Sequence, residues 1–125
     1  MHKKLENRLV AAEMRYLRKI AGKTRRDHIR STMVRDELQQ ESIMDIVERR
    51  ALGWVGHLVR MEDGRKAKQV WQARPIGRRT RGRPRIEWEE YIMGLIGKRG
   101  KTLGDVRRIA RDRRNFNKWL KCPDA

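Results

Sequence analysis

Residues 43–61 read I-M-D-I-V-E-R-R-A-L-G-W-V-G-H-L-V-R-M, a long periodic segment in this chain of 125 residues. Their apolar side chains recur at the spacing of one helix face, so we predict a long helix across this range. Ser42 and Asp45 form a capping-box pattern at its start. Gly53 and Gly56 lie inside it, where each costs ~1 kcal/mol relative to alanine, which indicates a bend or a close crossing by another helix.

The same helical spacing continues on both sides of this segment. It predicts a helix at residues 4–21, a shorter helix with Ser31 as N-cap, and a short helix that carries Val70 and Trp71 with Asp63 as cap. Another helix should have Pro84 in its first turn. The last should begin at a capping-box pattern of Thr102 and Asp105 and end at Pro123. No alternating run of useful length predicts a strand. The fold class is therefore predicted to be all-α, a small helical domain of five or six helices with one extended Arg-rich linker.

The linker is the segment R-P-I-G-R-R-T-R-G-R-P-R at residues 74–85, with six arginines and no acid. Proline lacks an amide donor and glycine prefers no single backbone conformation, so this segment is predicted to be neither helix nor strand. Its arginines would each need a buried partner to enter a core, so they should stay in solvent. We predict three parts in one compact domain: an N-terminal helical half (1–73), the basic linker (74–85) and a C-terminal basic helical half (86–125).

The charge balance of the chain points to a polyanionic partner. The net charge is +17, and residues 63–125 hold 19 Lys and Arg against 7 Asp and Glu, compared with 14 against 9 in residues 1–62. Charge of this size is an argument about partners, and nucleic acid is the first candidate. The predicted nucleic-acid-binding residues lie in the linker and on one face of the last helix: Arg74, Arg78, Arg79, Arg81, Arg83, Arg85, Arg107, Arg111, Arg114 and Lys118. The alternatives are a merely solvated linker and a merely solvated helix face.

Within the linker, residues 81–85 (R-G-R-P-R) have the form of an AT-hook core. Arginines in such an extended segment fit the narrow minor groove of A·T-rich DNA, where negative potential is concentrated. The alternatives are plain phosphate contacts, or a linker in which Pro84 only begins the next helix.

The four tryptophans allow two interpretations. They could stack on unpaired bases, but each lies on an apolar stripe at helical spacing, so we predict core packing for most of them. For Trp71, which lies three residues before the linker, both interpretations stay open.

The sequence supplies no pattern for catalysis, a metal or a cofactor. The chain has one cysteine, Cys122, and its histidines His2, His28 and His57 are isolated from one another, so no metal site and no cofactor are predicted. No Gly-rich phosphate loop or nucleophile elbow is present. No apolar run is long enough to span a bilayer, and no signal peptide follows Met1, so we expect a nuclear or cytoplasmic protein that is not secreted.

Several of these segments together resemble one protein family. They are residues 52–61 (L-G-W-V-G-H-L-V-R-M), residues 77–85 (G-R-R-T-R-G-R-P-R), Trp88, and D-R-R at residues 112–114 before Trp119, with L-R-K-I at residues 17–20 upstream. They resemble the C-terminal region of the endonuclease-reverse transcriptases that non-LTR retrotransposons of animals encode. The resemblance covers roughly residues 15–120.

The resemblance implies an accessory role rather than an enzymatic one. In that family the polymerase and endonuclease active sites lie upstream, and the acid pair of the polymerase palm has no counterpart in this chain. The implied function is a non-enzymatic domain that grips RNA, DNA or their hybrid beside the rest of a reverse transcriptase. A fragment, a degenerate remnant and a copy adopted by a host all remain open.

The alternative function is a protein-protein interaction module. Its arginines would bind an acidic partner protein, and apolar surface that once contacted the polymerase would remain exposed, with Met14, Tyr16 and Met33 as candidates. Membrane binding is disfavoured because the linker lacks bulky apolar anchors. The sequence does not fix the oligomeric state or the preference between RNA and DNA.

Overall fold

The computed structural model describes residues 2–74, 76–78, 81–82 and 88–122. Across those residues the chain forms no strand, one 3-10 turn at Arg25–Asp27 and seven α-helices: α1 (Lys3–Ile20), α2 (Ser31–Glu37), α3 (Ile43–Arg60), α4 (Lys66–Gln72), α5 (Trp88–Lys98), α6 (Leu103–Ala110) and α7 (Arg113–Lys121). The all-α class is confirmed. The predicted number of five or six helices is wrong, since the described part alone contains seven.

The additional helix arises where one last helix was predicted. The chain leaves the helical conformation at Asp112, whose side chain accepts hydrogen bonds from the backbone N–H groups of Arg114 (2.8 Å) and Asn115 (3.3 Å). These amides lie in the first turn of α7, where a helix provides no acceptor of its own. Asp112 therefore starts a new helix. The predicted end at Pro123 lies outside the described residues.

Two of the predicted helix caps are also wrong. Ser31 is the first residue of α2, and Arg30 occupies the N-cap position. Asp63 does not cap α4, whose N-cap position is Arg65; instead its carboxylate forms an ion pair with Lys68 at 2.8 Å. At α3, Ser42 does cap the helix, because its hydroxyl accepts a hydrogen bond from the N–H of Met44 at 3.3 Å, but among the described residues no hydrogen bond of the Asp45 side chain completes the predicted capping box.

The chain forms two compact units, Met1–Glu48 and Arg49–Ala125. The predicted boundary at the linker stays a prediction, because half of residues 74–85 lie outside the described residues.

In the first unit, Met14 and Leu17 of α1 pack on Val34 of α2. Met14 is buried, so the prediction that it belongs to an exposed apolar patch is wrong, whereas Tyr16 and Met33 are exposed.

A partly buried carboxylate links three elements of the first unit. Glu13 on α1 accepts hydrogen bonds from two guanidinium nitrogens of Arg35 on α2, at 2.8 and 3.3 Å, and from the backbone N–H of Ile43 at 3.0 Å. Ile43 is the first residue of α3, so Glu13 also supplies an acceptor for an amide of its first turn. This arrangement fixes α1, α2 and the start of α3 against one another.

The second unit has a larger apolar core. Its buried members come from α3, α5, α6 and α7: Leu52, Val55, Ile92, Leu95, Ile96, Val106, Ala110, Phe116 and Trp119. The predicted close crossing of α3 is confirmed at Gly56, because a Cβ there would lie 2.1 Å from Cε1 of Phe116. The absence of a side chain at this position lets α7 lie directly on α3.

Two arginines of this unit serve the structure itself. Arg60 donates a hydrogen bond to the backbone carbonyl of Ala110 at 2.7 Å, and Arg99 donates to the carbonyls of Trp119 and Leu120 at 3.2 and 3.3 Å. These carbonyls belong to the last turns of α6 and α7, where helices lack donors and where a cation is favoured by the helix dipole. Arg60 and Arg99 thus each stabilise a helix end of their own chain.

Candidate nucleic-acid interface

The described part of the Arg-rich linker is non-helical and exposed. Arg74, Arg78 and Arg81 are exposed and lie in neither helix nor strand, as predicted. Gly77 and Gly82 have φ angles of 119° and 128°, which side chains of other residues rarely allow. Of the predicted linker contacts, Arg79, Arg83 and Arg85 lie outside the described residues, as does Pro84.

The linker arginines differ in their contacts with the rest of the chain. The guanidinium of Arg74 forms an ion pair with Glu89 of α5 at 3.2 Å. Arg78 and Arg81 form no side-chain hydrogen bond or ion pair with any residue that the structure describes. Arg74 is therefore partly committed to its own chain, whereas Arg78 and Arg81 can receive an external anion without breaking a contact to any described residue.

The basic residues of α6 and α7 do not share one helix face. That prediction assumed an unbroken helix through residues 107–118, and the break at Asp112 separates them. The guanidinium of Arg107 lies over the ring of Trp71, 5.5 Å from its centroid, and Arg111 lies in the connection between α6 and α7. Arg107 is thereby directed toward α4.

The outer side of α7 nevertheless carries a row of cations. Arg114, Lys118 and Lys121 are spaced by four and three residues, which places them opposite the buried Phe116 and Trp119. Arg111, Arg114 and Lys118 are exposed, and within the described residues none of their side chains has an ion-pair or hydrogen-bond partner. No acidic residue lies within α7, so this side is purely basic.

A capping box starts α6, where it was predicted. The carboxylate of Asp105 accepts hydrogen bonds from the hydroxyl and the backbone N–H of Thr102, at 2.7 and 3.0 Å, and pairs with Arg108. The Thr102 hydroxyl, then its backbone N–H, then Arg108 lower the pKa of Asp105 from 3.8 to about 2. Arg108 is therefore paired with an acid of its own chain, whereas Arg114 and Lys118 of α7 have no such partner among the described residues.

The prediction that most tryptophans pack in the core is wrong, because Trp119 alone of the four is buried. Trp54 and Trp88 are 48% and 39% exposed, and Trp71 is partly exposed. These three line one open groove of about 470 Å³ among α3, α4 and the start of α5, together with Val70, Leu58 and Arg74. We call it the tryptophan groove. The prediction failed because periodicity shows that a residue lies near the apolar stripe of its helix, but not whether a neighbouring element covers that residue.

A second feature that the sequence did not single out lies in the first unit. A cavity of about 310 Å³ is lined by a cluster of basic residues, namely Arg15, Arg18, Lys19, Lys23 and Arg25. Two of them have internal partners, since Arg18 donates to the carbonyl of Ile29 at 3.2 Å and Lys23 pairs with Glu37 at 2.8 Å. Their helical spacing on α1 was visible in the sequence, but the contribution from the 3-10 turn was not.

The charge excess is concentrated in the second unit. Residues 49–125 hold 22 Lys and Arg against 8 Asp and Glu, a net charge of +14, whereas residues 1–48 hold 11 against 8, a net charge of +3. In the part of the chain that the structure describes, no three His, Cys, Asp or Glu side chains are grouped as metal ligands. None of the helices described is long and apolar enough to cross a membrane.

Comparison with known proteins supports a transposon-related origin for this chain. It is similar to an uncharacterized transposon-derived protein of Caenorhabditis elegans, with 32% identity over 124 residues, which cover 95% of this chain and 40% of the relative. This chain thus spans about 40% of the length of that relative. No protein-family model and no solved structure matches it.

Proposed function

We propose that this chain is a non-enzymatic nucleic-acid-binding domain that serves as an accessory to a retrotransposon-type reverse transcriptase. The observation that carries the proposal is a set of exposed cations in the second unit that have no side-chain hydrogen-bond or ion-pair partner among the described residues: Arg78, Arg81, Arg111, Arg114 and Lys118. A soluble helical surface normally mixes both signs of charge. A surface of this kind attracts a polyanion and releases its counterions on binding.

Two further observations support this proposal. The transposon-derived relative is longer than this chain, which is consistent with a domain that works beside other parts of a larger protein. The chain resembles the reverse-transcriptase C-terminal region in residues 52–61 and 77–85, outside that family's active sites. We propose the nucleus or the cytoplasm, where nucleic acid is available, as its place of action.

The salt dependence of affinity tests the proposal. If the five unpartnered cations neutralise about five phosphates, log K for duplex DNA falls against log salt with a slope of about −4 to −5. Fluorescence anisotropy with labelled duplex DNA, duplex RNA and their hybrid, from about 50 to 200 mM salt, measures this slope. An affinity for none of the three, and for no single-stranded DNA, at low salt would refute nucleic-acid binding.

The second candidate function is capture of an acidic protein. The exposed Tyr16 and Met33 in the first unit favour it, since they offer apolar surface to a partner. Competition separates the candidates. A partner bound through the same arginines is displaced by excess duplex DNA, whereas one bound through Tyr16 and Met33 remains.

A further inference from the structure

We propose that the tryptophan groove binds unpaired bases, so that the chain prefers single-stranded segments, such as a template end or an unwound target, over continuous duplex. This inference rests on the proposed function and goes beyond it by naming the class of nucleic acid. The groove is lined by Trp54 of α3, Trp71 of α4 and Trp88 at the start of α5, in a volume of about 470 Å³. That volume lies within the ~300–1,000 Å³ of typical small-molecule sites.

The indole rings are available to a ligand. Trp54 and Trp88 are 48% and 39% exposed. Large aromatic side chains normally bury most of their surface, so two half-exposed rings beside a third in one groove form an unusual apolar site. Every nucleobase has a flat π-face that stacks on such rings irrespective of its sequence.

The charges around the groove favour a polyanion over an uncharged partner. The guanidinium of Arg107 lies 5.5 Å from the ring centroid of Trp71, and Arg74 lines the groove. Glu89 is the one acid among the described lining residues, and it is already paired with Arg74. The chain continues from Arg74 into Arg78 and Arg81, which are exposed and unpartnered among the described residues. Bases on the rings and phosphates on the guanidinium groups would thus be bound together.

The same geometry disfavours duplex in this groove. In a duplex both faces of each base are already stacked on neighbouring bases, so the rings have no base face to contact without unstacking. Duplex would therefore bind through the phosphate contacts alone. The tryptophan groove adds a stacking contribution that only unpaired bases receive.

The experiment compares single-stranded and duplex affinity in the full chain. The probes are a fluorescent oligo(dT) of twelve nucleotides and a labelled DNA hairpin whose fully paired stem is closed by a non-nucleotide linker, so that it contains no unpaired base. The variants are Trp54→Ala, Trp88→Ala and the conservative Trp54→Phe. Tyr16→Ala serves as the control, since it removes an aromatic ring in the first unit that is more exposed (66%) than either tryptophan. Far-UV circular dichroism confirms that each variant folds.

The expected result is that Trp54→Ala and Trp88→Ala each weaken oligo(dT) binding about tenfold while hairpin affinity stays within twofold. Trp54→Phe should recover part of the loss, and Tyr16→Ala should change neither affinity. If the affinity for oligo(dT) is unchanged in both alanine variants, the inference is overturned while the proposed function stays intact. The same holds if the affinities for oligo(dT) and for the hairpin fall equally. If the wild-type chain binds neither probe, the proposed function is refuted as well. If either variant is unfolded, the tryptophan fluorescence of the wild-type chain is measured instead. Quenching by oligo(dT) but not by the hairpin supports the inference, and the lack of such a difference overturns it.

Discussion

Gly56 of α3 and Phe116 of α7 are in direct contact, because a methyl group added at Gly56 would lie 2.1 Å from Cε1 of the phenyl ring. Phe116 is 1% exposed and belongs to the core of the second unit, so its ring has no free space to enter. The contact explains why a residue with poor helix propensity stands in the middle of a long helix. Glycine at this position is required by packing.

We therefore expect Gly56→Ala to destabilise the chain although alanine favours helix. Forcing the core to accommodate the methyl group should lower the free energy of unfolding by ~1–3 kcal/mol. The matched control is Gly94→Ala in α5, where an added Cβ meets no heavy atom within 4 Å. At that position the better helix propensity of alanine should raise the free energy of unfolding by up to ~1 kcal/mol. Urea denaturation followed by circular dichroism measures both, and opposite signs are the expected result. Equal effects of the two substitutions would contradict the packing explanation.

The second prediction concerns Glu13. Glu13→Ala removes the acceptor of two Arg35 nitrogens and of the Ile43 amide. Arg35 would then be left mostly buried without a partner, so we expect a loss of about 2–3 kcal/mol from the first unit. Hydrogen exchange of the α1 and α2 amides should show reduced protection.

The control for Glu13 is Glu37→Ala, which breaks the more exposed pair between Glu37 and Lys23. Pairs exposed to solvent contribute ~0–1 kcal/mol, so protection of α1 and α2 should change little. A loss of protection as large as that in Glu13→Ala would show that burial of the Glu13–Arg35 pair is not the cause.

The third prediction is a pH dependence that originates at Asp105. Hydrogen bonds from Thr102 lower the pKa of Asp105 to about 2 in the folded chain. The folded state then binds fewer protons than the unfolded state, so the cap stabilises α6 fully above about pH 4 and loses this contribution as the pH falls toward 2. Asp105→Asn removes the charge. The stability difference between wild type and Asp105→Asn should therefore shrink between pH 4 and pH 2.

Thermal unfolding at half-unit pH intervals measures this difference. Asp36→Asn is the control, since the Asp36 side chain accepts no hydrogen bond from any residue that the structure describes. Its difference from wild type should be small throughout. A stability difference for Asp105→Asn that is the same at pH 7 and pH 2 would show that the capping carboxylate is not the titrating group.

Sequence patterns predicted the parts of the fold that depend on local physics. The helical spacing located α1 and α3, the Thr102–Asp105 pair located the start of α6, and Gly56 indicated a close helix crossing. The helices and the cap follow from contacts within one turn of the chain. Gly56 lowers helix propensity, so its presence inside a helix indicates that packing requires it.

The parts that sequence missed depend on competition or on distant neighbours. Asp112 fits a continuous helix as well as a cap, and only the hydrogen bonds to Arg114 and Asn115 decide for the cap. Trp54 lies at the edge of the apolar stripe of α3, and whether it is buried depends on what covers that edge. The tryptophan groove could therefore not be distinguished from core by periodicity, although the surplus of tryptophan near the basic linker was a signal.

The last prediction tests which cations bind nucleic acid. Arg114 and Lys118 lie one turn apart on the outer side of α7, and alanine at both positions keeps helix propensity while removing two charges. If each neutralises one phosphate, the double variant Arg114→Ala/Lys118→Ala reduces the magnitude of the salt slope for duplex DNA by about 2. Lys3→Ala/Lys4→Ala removes the same two charges from the start of α1 in the first unit. It should leave the slope nearly unchanged, because counterions are released only where phosphates are contacted. Equal reductions in both double variants would mean that net charge, and not the α7 surface, sets the affinity.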